Sequence, residues 1–134
     1  MIYAEVARNF DALPHVMRLV DTFFAARHEK KETRFAVELA LEEIFTNIVK
    51  YNRKGHGPIR IELDACDGEV VVTVTDPDSP PFDPFEMPDP DVNQPLERRD
   101  PGGLGIHLVR KFMDGIEYSH ADGSATVKLR KRMD

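Results

Sequence analysis

The chain carries a single cysteine, Cys66, among 134 residues. That excludes a disulfide scaffold and any zinc site built from several cysteines, and intracellular residence is the default expectation. A basic block is also missing: Lys plus Arg is 18 against 24 for Asp plus Glu, a net charge of −6. A nucleic-acid binder needs a positive footprint, so no direct nucleic-acid partner is expected. The one short basic stretch, Lys128 to Arg132, alternates with apolar residues and reads as the solvent face of a last strand. No apolar run approaches the roughly 18 residues that a membrane span requires. The N-terminus has neither the basic n-region nor the apolar h-region of a secretory leader. The expectation is a soluble, cytoplasmic protein with no membrane partner. Its length suits one domain, residues 1–134, and is too short for two catalytic ones.

What is abundant is proline, and it is unevenly placed. Eight of the ten prolines lie between Pro77 and Pro101, beside eight acidic residues from Asp76 to Asp100. Proline removes amide donors and clashes inside helices, so this stretch cannot form a regular helix or central strand. Only 33 residues follow it, too few for an independent core. A lid over a binding site, at about 77–101, fits better than a linker.

Periodicity predicts the other elements. Ile2, Ala4 and Val6 alternate as a first strand. Asp11 is placed to cap a helix that starts near Pro14, with Val16, Val20, Phe23 and Arg27 on one face. A second helix is expected from about Thr33 to Tyr51, with a buried stripe of Val37, Leu41, Ile44 and Ile48 and with Phe45 at its margin. Two hairpins follow the same logic. Ile59 to Ala65 and Val70 to Val74 flank Asp67-Gly68, and Ile116 to Tyr118 and Val127 to Leu129 flank Asp122-Gly123. A helix from Leu104 to Met113 separates lid and second hairpin. No internal repeat is visible. Two hairpins argue against an all-parallel, doubly wound fold. The expected architecture is a two-layer α/β sandwich, a mainly antiparallel mixed sheet with helices on one face.

Three places can carry chemistry. On the second helix, at about 100° per residue, Ala36, Ala40, Glu43 and Asn47 fall in one row beside the apolar stripe. Two alanines would leave space above the helix. A carboxylate and an amide oxygen one turn apart can address a hydrated magnesium ion, or simply form an ordinary helix flank. Gly102-Gly103-Leu104-Gly105 opens the helix after the lid. Its amides suit phosphate, although a hinge with a tight turn has the same composition. Neither a P-loop nor a dinucleotide fingerprint is present. Asp76 ends a strand where the lid begins, as a ligand acceptor or as a polar strand terminator.

The order of these pieces resembles the GHKL ATP-binding fold of gyrase, MutL and histidine kinases. Within it, the chain is most similar to the small anti-sigma factor serine/threonine kinases. The likeness is carried by Leu41-Glu42-Glu43-Ile44-Phe45-Thr46-Asn47, Pro80-Pro81-Phe82-Asp83-Pro84 and Gly103-Leu104-Gly105-Ile106-His107-Leu108-Val109. The resemblance implies a Bergerat-type fold with ATP and magnesium as cofactors. It implies Glu43 as catalytic base, Asn47 as magnesium and nucleotide ligand, and Asp76 as acceptor for the adenine amino group. Gly103, Leu104 and Gly105 would wrap the phosphates, and Thr126 would lie near the adenine. Implied partners are a STAS-domain anti-sigma antagonist, phosphorylated on serine or threonine, and a sigma factor or comparable regulator. A homodimer is also implied. The same likeness allows a nucleotide-gated binding switch without turnover, and a non-nucleotide interaction domain is the third reading. Three positions depart from the pattern. Asp78 and Pro80 replace the glycines of Asp-x-Gly-x-Gly, and Tyr51 stands where several relatives have histidine. Arg98 and Arg99, the lid's two cations, are either phosphate-facing or solvated.

Overall fold

A computed structural model describes residues 1–27, 29–86 and 103–133. Five strands form one sheet: β1 (Ile2–Val6), β2 (Ile59–Cys66), β3 (Glu69–Asp76), β4 (Gly115–Ala121) and β5 (Ser124–Arg132). Their spatial order is β1-β2-β3-β5-β4, and every pairing is antiparallel. The expected mixed sheet is therefore purely antiparallel among the described residues. Both hairpins turn on the expected dipeptides. Asp67 and Gly68 have φ of 52° and 78°, and Asp122 and Gly123 have 53° and 79°. Two consecutive positive φ values match the right-handed twist of the flanking strands, and Asp-Gly tolerates them well.

Three α-helices are described: α1 (Leu13–Ala25), α2 (Lys31–Tyr51) and α3 (Gly103–Phe112). The core lies between them and one sheet face, where Val6, Ile59, Ile61, Leu63, Val70, Val72 and Leu129 are fully buried. The opposite sheet face carries the other half of each alternation, including Arg60, Glu62, Thr73, Lys128 and Arg130, all partly exposed. Val16, Val20 and Phe23 of α1 are buried as expected, and the Arg27 guanidinium lies 4.4 Å from the centre of the Phe23 ring.

Three local expectations are corrected. Asp11 does not cap α1. The chain first makes a 3-10 turn over Phe10–Ala12, so Ala12 takes the capping position and Asp11 lies inside that turn. Phe45 is fully buried rather than marginal. Ala36 and Ala40 leave no open space, being 1% and 0% exposed. The cause is shared: α2 packs against both α1 and α3 as well as against β3 and β5. Its buried surface is thus wider than a single stripe. Among the described residues, no helix is long and apolar enough to cross a membrane.

Of the expected lid, only its first part falls among the described residues. Residues 77–86 run along the end of the sheet and include a short 3-10 turn, Pro84–Glu86, with Phe85 buried. Ser79 N–H donates to the Gly123 carbonyl at 2.8 Å, and Phe82 N–H donates to the Tyr118 hydroxyl at 2.9 Å. This first part therefore packs as a wall against the β4–β5 hairpin. Arg98, Arg99 and the rest of the expected lid lie outside the described residues.

Candidate nucleotide site

A cavity of about 330 Å³ opens between the C-terminal half of α2 and the ends of β3, β4 and β5. From α2 it takes Ile44, Asn47, Ile48 and Tyr51, which recur at helical spacing and so share one face, followed by Asn52. From the sheet it takes Val74, Asp76, Tyr118, Ala125 and Val127, and its remaining wall is Ser79 to Phe82 with Pro84. The surface is mostly apolar, with Asp76 and two asparagines as polar points. A flat heteroaromatic ring matches that chemistry, and the volume lies at the small end of ligand clefts.

Asp76 reaches the cavity through simple alternation. Val70, Val72 and Val74 fill the core face of β3, and the next residue of that row is Asp76. Its carboxylate is 3% exposed and is held by an equally buried partner, Arg8, whose side chain is 6% exposed. Arg8 Nη2 donates to Oδ1 at 2.6 Å and Nη1 to Oδ2 at 3.0 Å. Asn52 Nδ2 donates to Oδ2 at 2.8 Å, and the Asp78 N–H to Oδ1 at 3.1 Å. Burial alone pushes this carboxyl up. The hydrogen bonds from Arg8, Asn52 and Asp78, with the Arg8 charge, outweigh that and hold it below the ordinary aspartate value. Asp76 is therefore an ionised acceptor at neutral pH.

Arg8 and Asn52 escaped the sequence reading. Arg8 follows β1, 68 positions from Asp76, and no local spacing connects them. The available signal for Asn52 was its place just after the second helix, where an asparagine commonly ends a helix.

The two departures from the glycine pattern have different consequences. Asp78 does not line the cavity. Its carboxylate accepts from the His56 backbone N–H at 2.7 Å and lies 2.9 Å from His56 Nδ1, tying down the loop after α2. Pro80 does line the cavity, as part of its apolar wall. Tyr51, the third departure, is about half exposed, with its ring 5.9 Å from that of Phe82.

Asn47 is 7% exposed and lines the cavity together with Asp76. Glu43 lies one turn earlier and does not line it. A Cβ built on Gly105 would overlap the Glu43 carboxylate, so the two touch across the α2–α3 contact. Burial raises the Glu43 pKa first, and the neighbouring Glu42 charge raises it further. Gly103, Leu104 and Gly105 are the first three residues of α3, as expected. Thr126 is not brought to the cavity. It pairs with Thr75 and Ser119 on the polar sheet face, while Ala125 and Val127 on either side of it face inward. A two-residue period cannot place all three on one side.

Among the described residues, no group of three or more His, Cys, Asp or Glu could hold a metal. A buried asparagine oxygen with no carboxylate cage suits magnesium that arrives with a polyphosphate, because that ion keeps most of its ligands as water and phosphate.

Residues 6–131 match the model of the histidine kinase-like ATPase domain. The chain belongs to that family. It is 33% identical over 107 residues to an anti-sigma F factor of Clostridium botulinum, covering 73% of this chain and 70% of the relative. It is 32% identical over 92 residues to the serine/threonine-protein kinase BtrW of Bordetella bronchiseptica, covering 67% of this chain and 64% of BtrW. Among solved structures, the RsbU and RsbW domains of a Mycobacterium tuberculosis protein superpose with a TM-score of 0.68 at 15% identity. That match covers 98% of this chain and only 32% of the larger one, and it speaks for the fold alone. The family implies use of ATP, and its fold is the sandwich described above.

Proposed function

We propose that this histidine kinase-like ATPase domain is an ATP-dependent anti-sigma regulatory factor. In this reading it is a cytoplasmic protein that phosphorylates a serine or threonine of a STAS-domain antagonist and binds a sigma factor, or a comparable regulator, when that antagonist is unavailable. The names of two relatives, an anti-sigma factor and a serine/threonine kinase, support it. The observation that carries it is the shared cavity of Asn47 and Asp76, one apolar space with an ionised acceptor at one point and an amide oxygen at another.

The adenine ring enters between Tyr51, Ile48 and the Pro80–Phe82 wall, with its amino group toward Asp76. The phosphates then run past Asn47 toward the start of α3. Magnesium, when bound with the nucleotide, neutralises phosphate charge, and Asn47 supplies its protein ligand. Glu43 orients the incoming hydroxyl and takes its proton as the oxygen attacks the terminal phosphorus, and ADP departs. Desolvation favours this role, because a carboxylate with a raised pKa is a stronger base. Phosphoryl transfer asks mainly for positioning and charge neutralisation, which these side chains can provide.

A second reading, a nucleotide-gated switch without turnover, is favoured by one observation: Pro80 stands in the cavity wall where the family pattern has glycine. Incubating the protein with ATP, magnesium and co-purifying STAS-type partners decides between them. Kinase activity gives stoichiometric phosphorylation of the partner. ATP binding with no transfer to any partner gives the switch, and no ATP binding by the folded protein removes both.

A further inference from the structure

Arg8 is buried against Asp76 and does not line the cavity. It follows β1, and it joins three parts of the chain. Besides its two bonds to Asp76, Nη1 donates to the Asn52 carbonyl at 3.4 Å. Nη2 donates to the carbonyls of His56 at 3.4 Å and Gly57 at 3.3 Å. Gly55 lies flat against this group: a Cβ there would come within 2.8 Å of Arg8 Cζ and Nη1 and of Asn52 Nδ2. Arg8 Nε is buried with no hydrogen-bond partner among the described residues. An orphaned buried donor is costly, so the guanidinium is held here for the sake of its other contacts.

A carboxylate offers about four acceptor positions. At Asp76 all four are taken, two by Arg8, one by Asn52 and one by the Asp78 N–H. Of these donors, only Asn52 belongs to a residue lining the cavity. The amide atom facing Asp76 must be its nitrogen, because it also lies 2.7 Å from the Asp78 carbonyl oxygen, an acceptor. An amino group entering the cavity therefore exchanges with the Asn52 N–H, while the two Arg8 bonds stay in place.

We infer that Arg8 sets the base specificity of this cavity: by gripping both oxygens of Asp76 it holds that carboxylate as an acceptor, so the site takes a purine with an amino group at C6 and refuses one with an oxo group there. The inference rests on the nucleotide reading above and makes Arg8 a positioning residue, since it touches Asp76 and not the base. Without it, burial acts against only the hydrogen bonds of Asn52 and the Asp78 N–H, so the carboxyl pKa rises. A protonated acid can donate to an oxo group, and the preference would fall. The other groups around Asp76, Asn52 and the Asp78 N–H among them, bring hydrogen bonds but no positive charge. Asn52 is neutral, the Asp78 carboxylate is turned to His56, and Ser124 Oγ donates only to the Asp76 backbone carbonyl at 3.2 Å.

The experiment is a titration of wild type, Arg8→Gln and Arg8→Lys with ATP and with inosine triphosphate, which has an oxo group in place of the amino group. Affinities are measured by calorimetry from about pH 8 to about pH 5, a range in which an ordinary aspartate stays ionised. Wild type is expected to prefer ATP by about tenfold or more at every pH. In Arg8→Gln the ratio should fall toward one as the pH drops, while Arg8→Lys should hold it flat. A purely structural role would weaken both nucleotides alike at all pH values and leave their ratio alone, and that outcome overturns the inference. Failure of folded wild type to bind either nucleotide overturns the nucleotide reading instead. Should Arg8→Gln not fold, the Asp76 carboxyl-carbon resonance in wild type is the second measurement. It should stay ionised below the usual aspartate midpoint, and a midpoint at or above that value would sink the inference.

Discussion

The Glu43 carboxylate covers Gly105: it lies where a side chain on that glycine would begin. The contact joins the middle of α2 to the first turn of α3. It gives Gly105 a role that backbone approach to phosphate alone does not supply. Any side chain there must push Glu43 away.

Gly105→Ala should therefore displace the Glu43 carboxylate, and because that group is the far end of a flexible side chain the cost should be about 1 kcal/mol or less. The cost should largely vanish in the Glu43→Ala background, where the carboxylate is gone. Urea unfolding of the two single variants and the double variant measures this coupling. An undiminished penalty in the double variant would place the clash elsewhere.

Glu43→Gln should preserve ATP affinity and lower phosphoryl transfer by about 10²–10⁴-fold, the range of a general base. The pH dependence has a definite sign. Because burial and then Glu42 raise the Glu43 pKa, wild-type transfer should fall on acidification with a midpoint above the ordinary glutamate value. Glu42→Gln removes one of those causes and should move the midpoint down. A raised carboxyl pKa also means that ionised Glu43 works against folding at neutral pH. Glu43→Gln should thus melt higher than wild type near neutrality, by a margin that shrinks as the pH falls through the raised pKa. Equal melting temperatures across that range would show that Glu43 is not desolvated.

Asn47→Ala is expected to remove most of the difference between ATP binding with and without magnesium, since the metal loses its protein ligand. Calorimetry in magnesium and in EDTA tests this directly. A full magnesium effect in the variant would take Asn47 out of the metal site.

Asp76→Asn should weaken ATP by about tenfold to a hundredfold, the value of a hydrogen bond to a charged acceptor. It should also destabilise the fold by about 3–5 kcal/mol, because it leaves Arg8 buried without its counter-charge. The folded-state pKa of Asp76 lies below its ordinary value. Its contribution to stability is therefore complete above the ordinary aspartate range and is lost as the pH falls through the lowered value. Denaturation curves of wild type and variant should accordingly converge in strong acid. A constant gap down to the lowest pH would argue against an ionised Asp76.

The sequence by itself determined the elements and much of the site. Period-two and helical alternation located five strands and three helices, and Asp-Gly pairs located both hairpin turns, because these depend on neighbours within a few residues. Asn47 and Asp76 were legible for the same reason, one from its helical row and one as the last member of an inward-facing strand row. The alternation that buries Val127 and Leu129 also assigned Thr126 to the opposite face, so that placement was legible too, although family likeness pointed the other way. Tertiary structure alone decided the rest. Phe45, Ala36 and Ala40 are buried because helices flank α2 on more than one side, which no periodicity within α2 records. Glu43 meets Gly105, and Arg8 meets Asp76, across separations of dozens of residues. A charge pair between such distant positions forms only when the sheet brings the ends of β1 and β3 together on either side of β2. Burial then gives the pair its strength, by removing the water that would otherwise screen it.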